Sequence, residues 1–186
     1  MTARIAPAAG PFPPDVEAAL AAVMRGRPPL VLFTTLLRDL RLARKFFAGS
    51  LLDRGHLALR ERELVILRTT ARCGSEYEWG VHVAAFGARA GLDEAQCRSL
   101  VHGGAADACW SEDDRDLVAL ADAMHQQCDV EEPLWQRLRR RFGEEAMLEL
   151  LLLGGFYRTV SLLTNALRLP LEADAARFPA AEAHPS

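Results

Sequence analysis

Glu78 and His82 stand four residues apart in the run "SEYEWGVHVAAFGARAGL". That spacing puts both side chains on one face of a helix. A carboxylate beside an imidazole orients the ring and favours its charged form, the usual arrangement for acid–base chemistry near neutral pH. Glu63 lies in the preceding apolar run, "ERELVILRTT". If the two runs are antiparallel helices packed through "LVIL" and "VHVAAF", Glu63 meets His82 across the seam, and the three groups form a proton relay. Cys73 falls at the turn between the runs, where a helix N-terminus can lower a thiol's pKa and make it reactive. The same residues also admit a purely structural reading. Ser75-x-x-Glu78 has the form of a capping box, in which Ser75 accepts from the Glu78 N–H and Glu78 reaches back to Ser75. Ser75 and Glu78 would then only begin a helix, His82 would be half-buried, and Cys73 an inert thiol.

The elements that must position these groups read as helices throughout. "DVEAALAAVM" is a first helix, with Asp15 as cap after Pro13-Pro14. "PPLVLFTTLLRDLRLARKFFAGSLL" reads as one second helix with proline at its start and Leu32, Leu36, Leu40 and Ala43 on one face. "LRERELVILRTTARCG" ends at Gly74 and "SEYEWGVHVAAFGARAG" at Gly91. "DEAQCRSLVHGG" carries Asp93 and Gln96 as a capping box. Two further helices begin with acidic residues, which suit the positive helix end. The last, "EEAMLELLLLGGFYRTVSLLTNALRL", is apolar almost all round and is expected at the bundle centre or in an oligomer interface. No segment shows convincing β alternation. The expected fold class is all-α, a bundle of about seven to eight helices. Residues 1–12 read as an irregular arm, 13–169 as a single domain with its core motif at 61–92, and 170–186 as a flexible tail.

The chain has 186 residues and a net charge of −3. That charge implies no attraction to nucleic acid or anionic membrane. The four cysteines, at 73, 97, 109 and 128, form no CxxC pair, and with the scattered histidines they give no zinc-ligand spacing. The N-terminus lacks the apolar stretch of a signal peptide, and "LELLLLGGF" is too short to span a bilayer before Arg158. The expectation is a cytoplasmic protein with reduced thiols, no metal and no cofactor.

The run "RERELVILRTTARCGSEYEWGVHVAAFGARAGLDEAQ" resembles the core motif of the carboxymuconolactone decarboxylase family, which shares its fold with alkylhydroperoxidase D. The resemblance is strong over roughly 55–105 and looser through "LWQRLRRRFGEEAMLELLLLGGFYRTVSLLTNAL". It implies an alkylhydroperoxidase D-like bundle that forms dimers, trimers or hexamers. The peroxidase branch carries a glutamate, two cysteines and a histidine in a fixed frame. Laid on this sequence from Glu63, that frame falls on Ser75, Glu78 and His82, so both thiols are replaced. Thiol exchange of the CxxC kind needs an attacking and a resolving cysteine within reach. The decarboxylase branch also lacks the pair, and this sequence is more similar to it. The resemblance thus implies a cofactor-free lyase acting on a small carboxylated lactone or organic acid. His82 would be the general acid, Glu63 would orient it, and Glu78 would tune its charge or bind water. A substrate carboxylate would be met by Arg68, Arg72 or Arg158. Two other functions stay open: a peroxiredoxin-like antioxidant activity through Cys73, and a non-catalytic helical oligomer with a small-molecule pocket.

Overall fold

Pro13 and Pro14 set the chain on its helical course, because proline's fixed φ suits the first turn. In the computed structural model, which describes residues 3–181, α1 runs Pro14–Met24 and buries Val16, Leu20 and Met24. Asp15 does not cap it; its carboxylate pairs with Arg44, 2.7 Å away. The expected single second helix is two, α2 Val31–Leu36 and α3 Leu40–Ala48. The break has a local cause. Asp39 adopts an extended backbone, and its side chain accepts from Leu42 N–H, starting a new helix rather than continuing the old one. This division raises the number of α-helices to nine among the described residues, against the seven to eight expected.

The core is built round α4, Leu59–Arg72, which is buried without interruption from Glu63 to Thr70. A helix enclosed on all sides has no solvent stripe, which is why its apolar pattern is nearly continuous. Gly74, at φ +64°, makes the left-handed turn that brings α5, Glu76–His82, back against α4. A π-helical segment, Val83–Gly87, follows at once. Then come α6 Glu94–His102, α7 Glu112–Gln127, α8 Glu132–Arg139 and α9 Glu144–Ala166. The capping box of Asp93 and Gln96 is present in both directions.

With 23 residues, α9 is long and apolar enough by composition to cross a membrane, contrary to the reading of its shorter leucine run. Its buried residues, among them Met147, Leu150, Leu153, Tyr157 and Val160, join the common core. Leu148, Leu152 and Leu162 face outward, each more than 60% exposed.

Both terminal segments lie on their own chain. In the arm, Arg4 N–H donates to Leu167 O and Ala8 N–H to Thr34 O. The expected flexible tail is seated as far as Ala181; residues 182–186 lie outside the described residues. Glu172 accepts from Val31 N–H and from the Tyr77 hydroxyl, Ala176 N–H donates to Gly80 O, and the Phe178 ring meets Trp79 edge-on at 5.3 Å. Apolar and hydrogen-bonded anchors at this density hold a segment that composition alone marks as loose.

Candidate active site

One turn of α4 and two successive turns of α5 supply the central groups. Glu63 is fully buried, His82 is 3% exposed and Glu78 6% exposed. His82 Nδ1 lies 2.8 Å from Glu63 Oε2, and Nε2 lies 3.4 Å from Glu78 Oε1. The other oxygen of Glu63 accepts from Arg62 at 3.1 and 3.2 Å. Four charges therefore alternate along one line, Arg62, Glu63, His82, Glu78, and sum to zero. Buried charges persist only when paired in this way. Burial by itself favours the neutral imidazole, but the two carboxylates outweigh it and push the His82 pKa up to about 9. The ring is an imidazolium at neutral pH, with an N–H toward each glutamate.

The capping box of the structural reading is only half made. Glu78 N–H approaches Ser75 Oγ at 3.4 Å, but Ser75 N–H donates to Thr70 O, so the Glu78 carboxylate is not used for capping. It turns to His82 instead, and its Oε2 is buried without a hydrogen-bond partner among the described residues. Ser75 Oγ meets Thr164 Oγ1 at 2.8 Å and ties the start of α5 to α9.

Glu78 and His82 form one wall of a cavity of about 60 Å³, whose other walls are mainly aromatic: Phe33, Phe46, Phe47, Phe86, Phe156 and Tyr157. Tyr157 sets its ring perpendicular to His82, with centroids 5.0 Å apart, and Phe86 lies 5.3 Å from it. Burial, with Glu78 and Glu63 nearby, holds the Tyr157 hydroxyl well above its ordinary pKa, so it remains protonated. Phe86 comes from the π-helical segment directly after His82; such segments often occur at functional sites. A second cavity of about 250 Å³ adjoins the first, sharing Met24, Arg27, Leu30 and Val81, and is closed on its far side by residues 172–175.

The three arginines considered for a substrate carboxylate are not in this cavity. Arg68 and Arg72 pair with Asp122, and Arg158 donates to His125 O. The arginine that lines the cavity is Arg27, between α1 and α2. Arg62, Tyr157 and Arg27 are thus the groups that sequence reading missed. Arg62 was signalled only by adjacency to Glu63, and Arg27 by nothing local.

Cys73 does not join the Glu63–His82–Glu78 group. It caps the C-terminus of α4 and its Sγ lies 3.6 Å from His125 Nδ1. It is not at a helix N-terminus, and burial raises its pKa rather than lowering it. All four cysteines are free thiols.

Residues 40–122, which include Glu63, Glu78 and His82, match the Carboxymuconolactone decarboxylase family. Among solved structures, an uncharacterized peroxidase-related protein from Silicibacter sp. TM1040 is similar over 96% of both chains, with 19% identity and a TM-score of 0.79. The debrominase Bmp8, as a cysteine-to-alanine variant in complex with 2,3,4-tribromopyrrole, is similar over 94% of both chains, with 15% identity and a TM-score of 0.75. A protein of unknown function from Agrobacterium tumefaciens, proposed to be the antioxidant defence protein AhpD, covers 82% of this chain with 95% of its own, at 17% identity and a TM-score of 0.57. No curated protein sequence matches the chain. The all-helical architecture and these neighbours agree on an alkylhydroperoxidase D-like fold, and the segment 40–122 that carries Glu63, Glu78 and His82 is similar to the Carboxymuconolactone decarboxylase family.

Proposed function

We propose that the protein is an enzyme of cofactor-free acid–base chemistry, acting on a small, largely apolar organic acid by decarboxylation or a related proton transfer. One observation carries this reading. A buried, charge-neutral relay ends on Glu78, which lines an aromatic cavity and whose Oε2 has no hydrogen-bond partner among the described residues.

The chemistry follows from the geometry. Arg62 and Glu63 fix the imidazolium from behind. His82 stores the proton, and Glu78 passes it from its far oxygen. In a decarboxylation the carbon–carbon bond breaks, its electron pair stays on the ring carbon, and that carbon takes the proton as carbon dioxide leaves. The site, one proton short, recovers it from water. Arg27 meets the substrate carboxylate before the bond breaks. The phenylalanine walls exclude water, which strengthens the electrostatics within, and a planar ring fits between them; the debrominase of the same fold is seen with a small flat ring. At about 60 Å³ the cavity admits a ring only when those walls rotate outward. No step needs the thiol of Cys73. Free cysteines suit a reducing cytoplasm.

The test is carbon dioxide release from carboxymuconolactone and related unsaturated lactone acids. Positioned proton transfer contributes roughly 10²–10⁴-fold, so Glu78→Gln and His82→Gln are each expected to lower kcat by at least about 10²-fold, while Cys73→Ser leaves it unchanged. Peroxide consumption by the wild type that vanishes in Cys73→Ser, with no lyase activity toward these acids, would instead establish the thiol reading.

A further inference from the structure

A third cavity, of about 240 Å³, opens between α4, α7 and α9. Its walls include Thr69, His125, Cys128, Gly154, Gly155 and Arg158, and none of the relay residues or phenylalanines of the first site. No aspartate or glutamate lines it. Thr69 is 4% exposed, and its hydroxyl is buried with no hydrogen-bond partner among the described residues. A buried hydroxyl without a partner is costly, and a bound group that accepts its hydrogen bond would relieve that cost.

The charge around the cavity is positive. Asp122 is shared between Arg68, at 2.8 Å, and Arg72, at 3.3 Å, which leaves one cationic charge in excess. Arg158 adds another; its Nη1 donates to the backbone carbonyl of His125 at 3.0 Å, and it makes no ion pair among the described residues. Burial and these arginines hold the His125 pKa below its ordinary value, so the ring is neutral. Burial keeps Cys73 as a thiol. Its Sγ lies 3.6 Å from His125 Nδ1, so the thiol engages that edge of the ring and leaves the Nε2 edge for another partner. A guanidinium, a hydroxyl and an imidazole thus line a space whose walls carry no acid. Such a donor set is complementary to an oxyanion.

We propose that this cavity binds a small oxyanion, a phosphate, sulfate or organic carboxylate, through Arg158, the Thr69 hydroxyl and the His125 ring. The site is separate from the proposed active site and does not depend on its reading. It also gives the Cys73–His125 pair a role: the imidazole that holds the thiol is itself a ligand of the anion.

The probe is inorganic phosphate, with sulfate and acetate as parallel arms and chloride at equal ionic strength as control. Binding is followed on the full chain by calorimetry and by the imidazole carbon-bound proton signals, with that of His125 assigned by its loss in His125→Gln. Saturable binding below about 10 mM is expected for at least one oxyanion, with the His125 signal moving. Strong phosphate and weak acetate binding would point to a tetrahedral ligand, the reverse to a carboxylate. Losing one charged contact weakens binding about tenfold or more, the expectation for Arg158→Gln; for Thr69→Val about threefold or more is expected. A Cβ added at Gly155 meets nothing within 4 Å, so Gly155→Leu keeps the fold, fills the cavity and abolishes binding. Glu78→Gln leaves binding intact. No saturation beyond chloride, or equal affinity in Arg158→Gln and Gly155→Leu, would overturn the proposal.

Discussion

At the scale of single residues, the His82 proton is the property to measure. Its folded pKa, about 9, lies above the ordinary value of 6.5. Folding therefore gains stability from the charged ring that is fully present below about pH 6.5 and lost as pH rises through 9. The difference in urea unfolding free energy between wild type and His82→Gln is expected to be largest near pH 6 and to shrink steadily toward pH 10. A constant difference would show that the ring is neutral. How much of this site could be read beforehand also follows residue by residue. Glu78 and His82 were legible because helical spacing alone joins them, and Glu63 because a packed seam and the family frame both point to it. Arg68 lies five residues beyond Glu63, well over a quarter-turn round α4, so helical phase could have removed it from the cavity. Arg27 was illegible, since only the path of the α1–α2 loop brings it near α5.

At the scale of elements, α5 is held from two sides. Its inner side faces α4 through His82 and Glu63, and its outer side carries residues 171–181. Gly80 makes the outer contact possible: a Cβ there would stand 2.2 Å from Ala176 O. Gly87, in the π-helical segment, is different, since an added Cβ would make only ordinary contacts with Val83 at 3.5 Å. Gly80→Ala is therefore expected to cost about 1–3 kcal/mol, in the range of overpacking, and to expose the terminal segment to limited proteolysis. Gly87→Ala is expected to be near neutral in both assays. If both variants unfold and digest alike, the segment does not depend on Gly80. The packing of this segment was hidden in the sequence because its Ala-, Pro- and Glu-rich composition matches that of unstructured tails, and its anchors, Glu172 and Phe178, find partners nearly a hundred residues away. The division of α2 from α3 was more accessible. Asp39 before an amphipathic run is an ordinary helix start.

At the scale of the whole molecule, α9 links both cavities to the surface. Phe156 and Tyr157 line the first, Gly154, Gly155 and Arg158 the other, and Leu148, Leu152 and Leu162 stand outside. The exposed leucines, with Gly155 and Thr159, recur at intervals of four and three residues, the spacing of a helix seam. Self-association of the chain, expected from the sequence, would use this face. Leu152→Glu is then expected to shift the protein toward monomer in light scattering, with its helical content unchanged by circular dichroism; an unchanged mass would place any assembly elsewhere. The all-helical class was legible throughout because the 3.6-residue period persists in nearly every segment, whereas the outward row on α9 was masked by apolar residues on its remaining faces. The contact between Gly80 and Ala176 also bears on descent. Position 80 and the terminal segment are coupled, since a side chain at 80 would push the backbone at Ala176 off its place on α5. Lineages that keep the segment should keep glycine there, and those that shed it should let the position drift toward alanine, the better helix former.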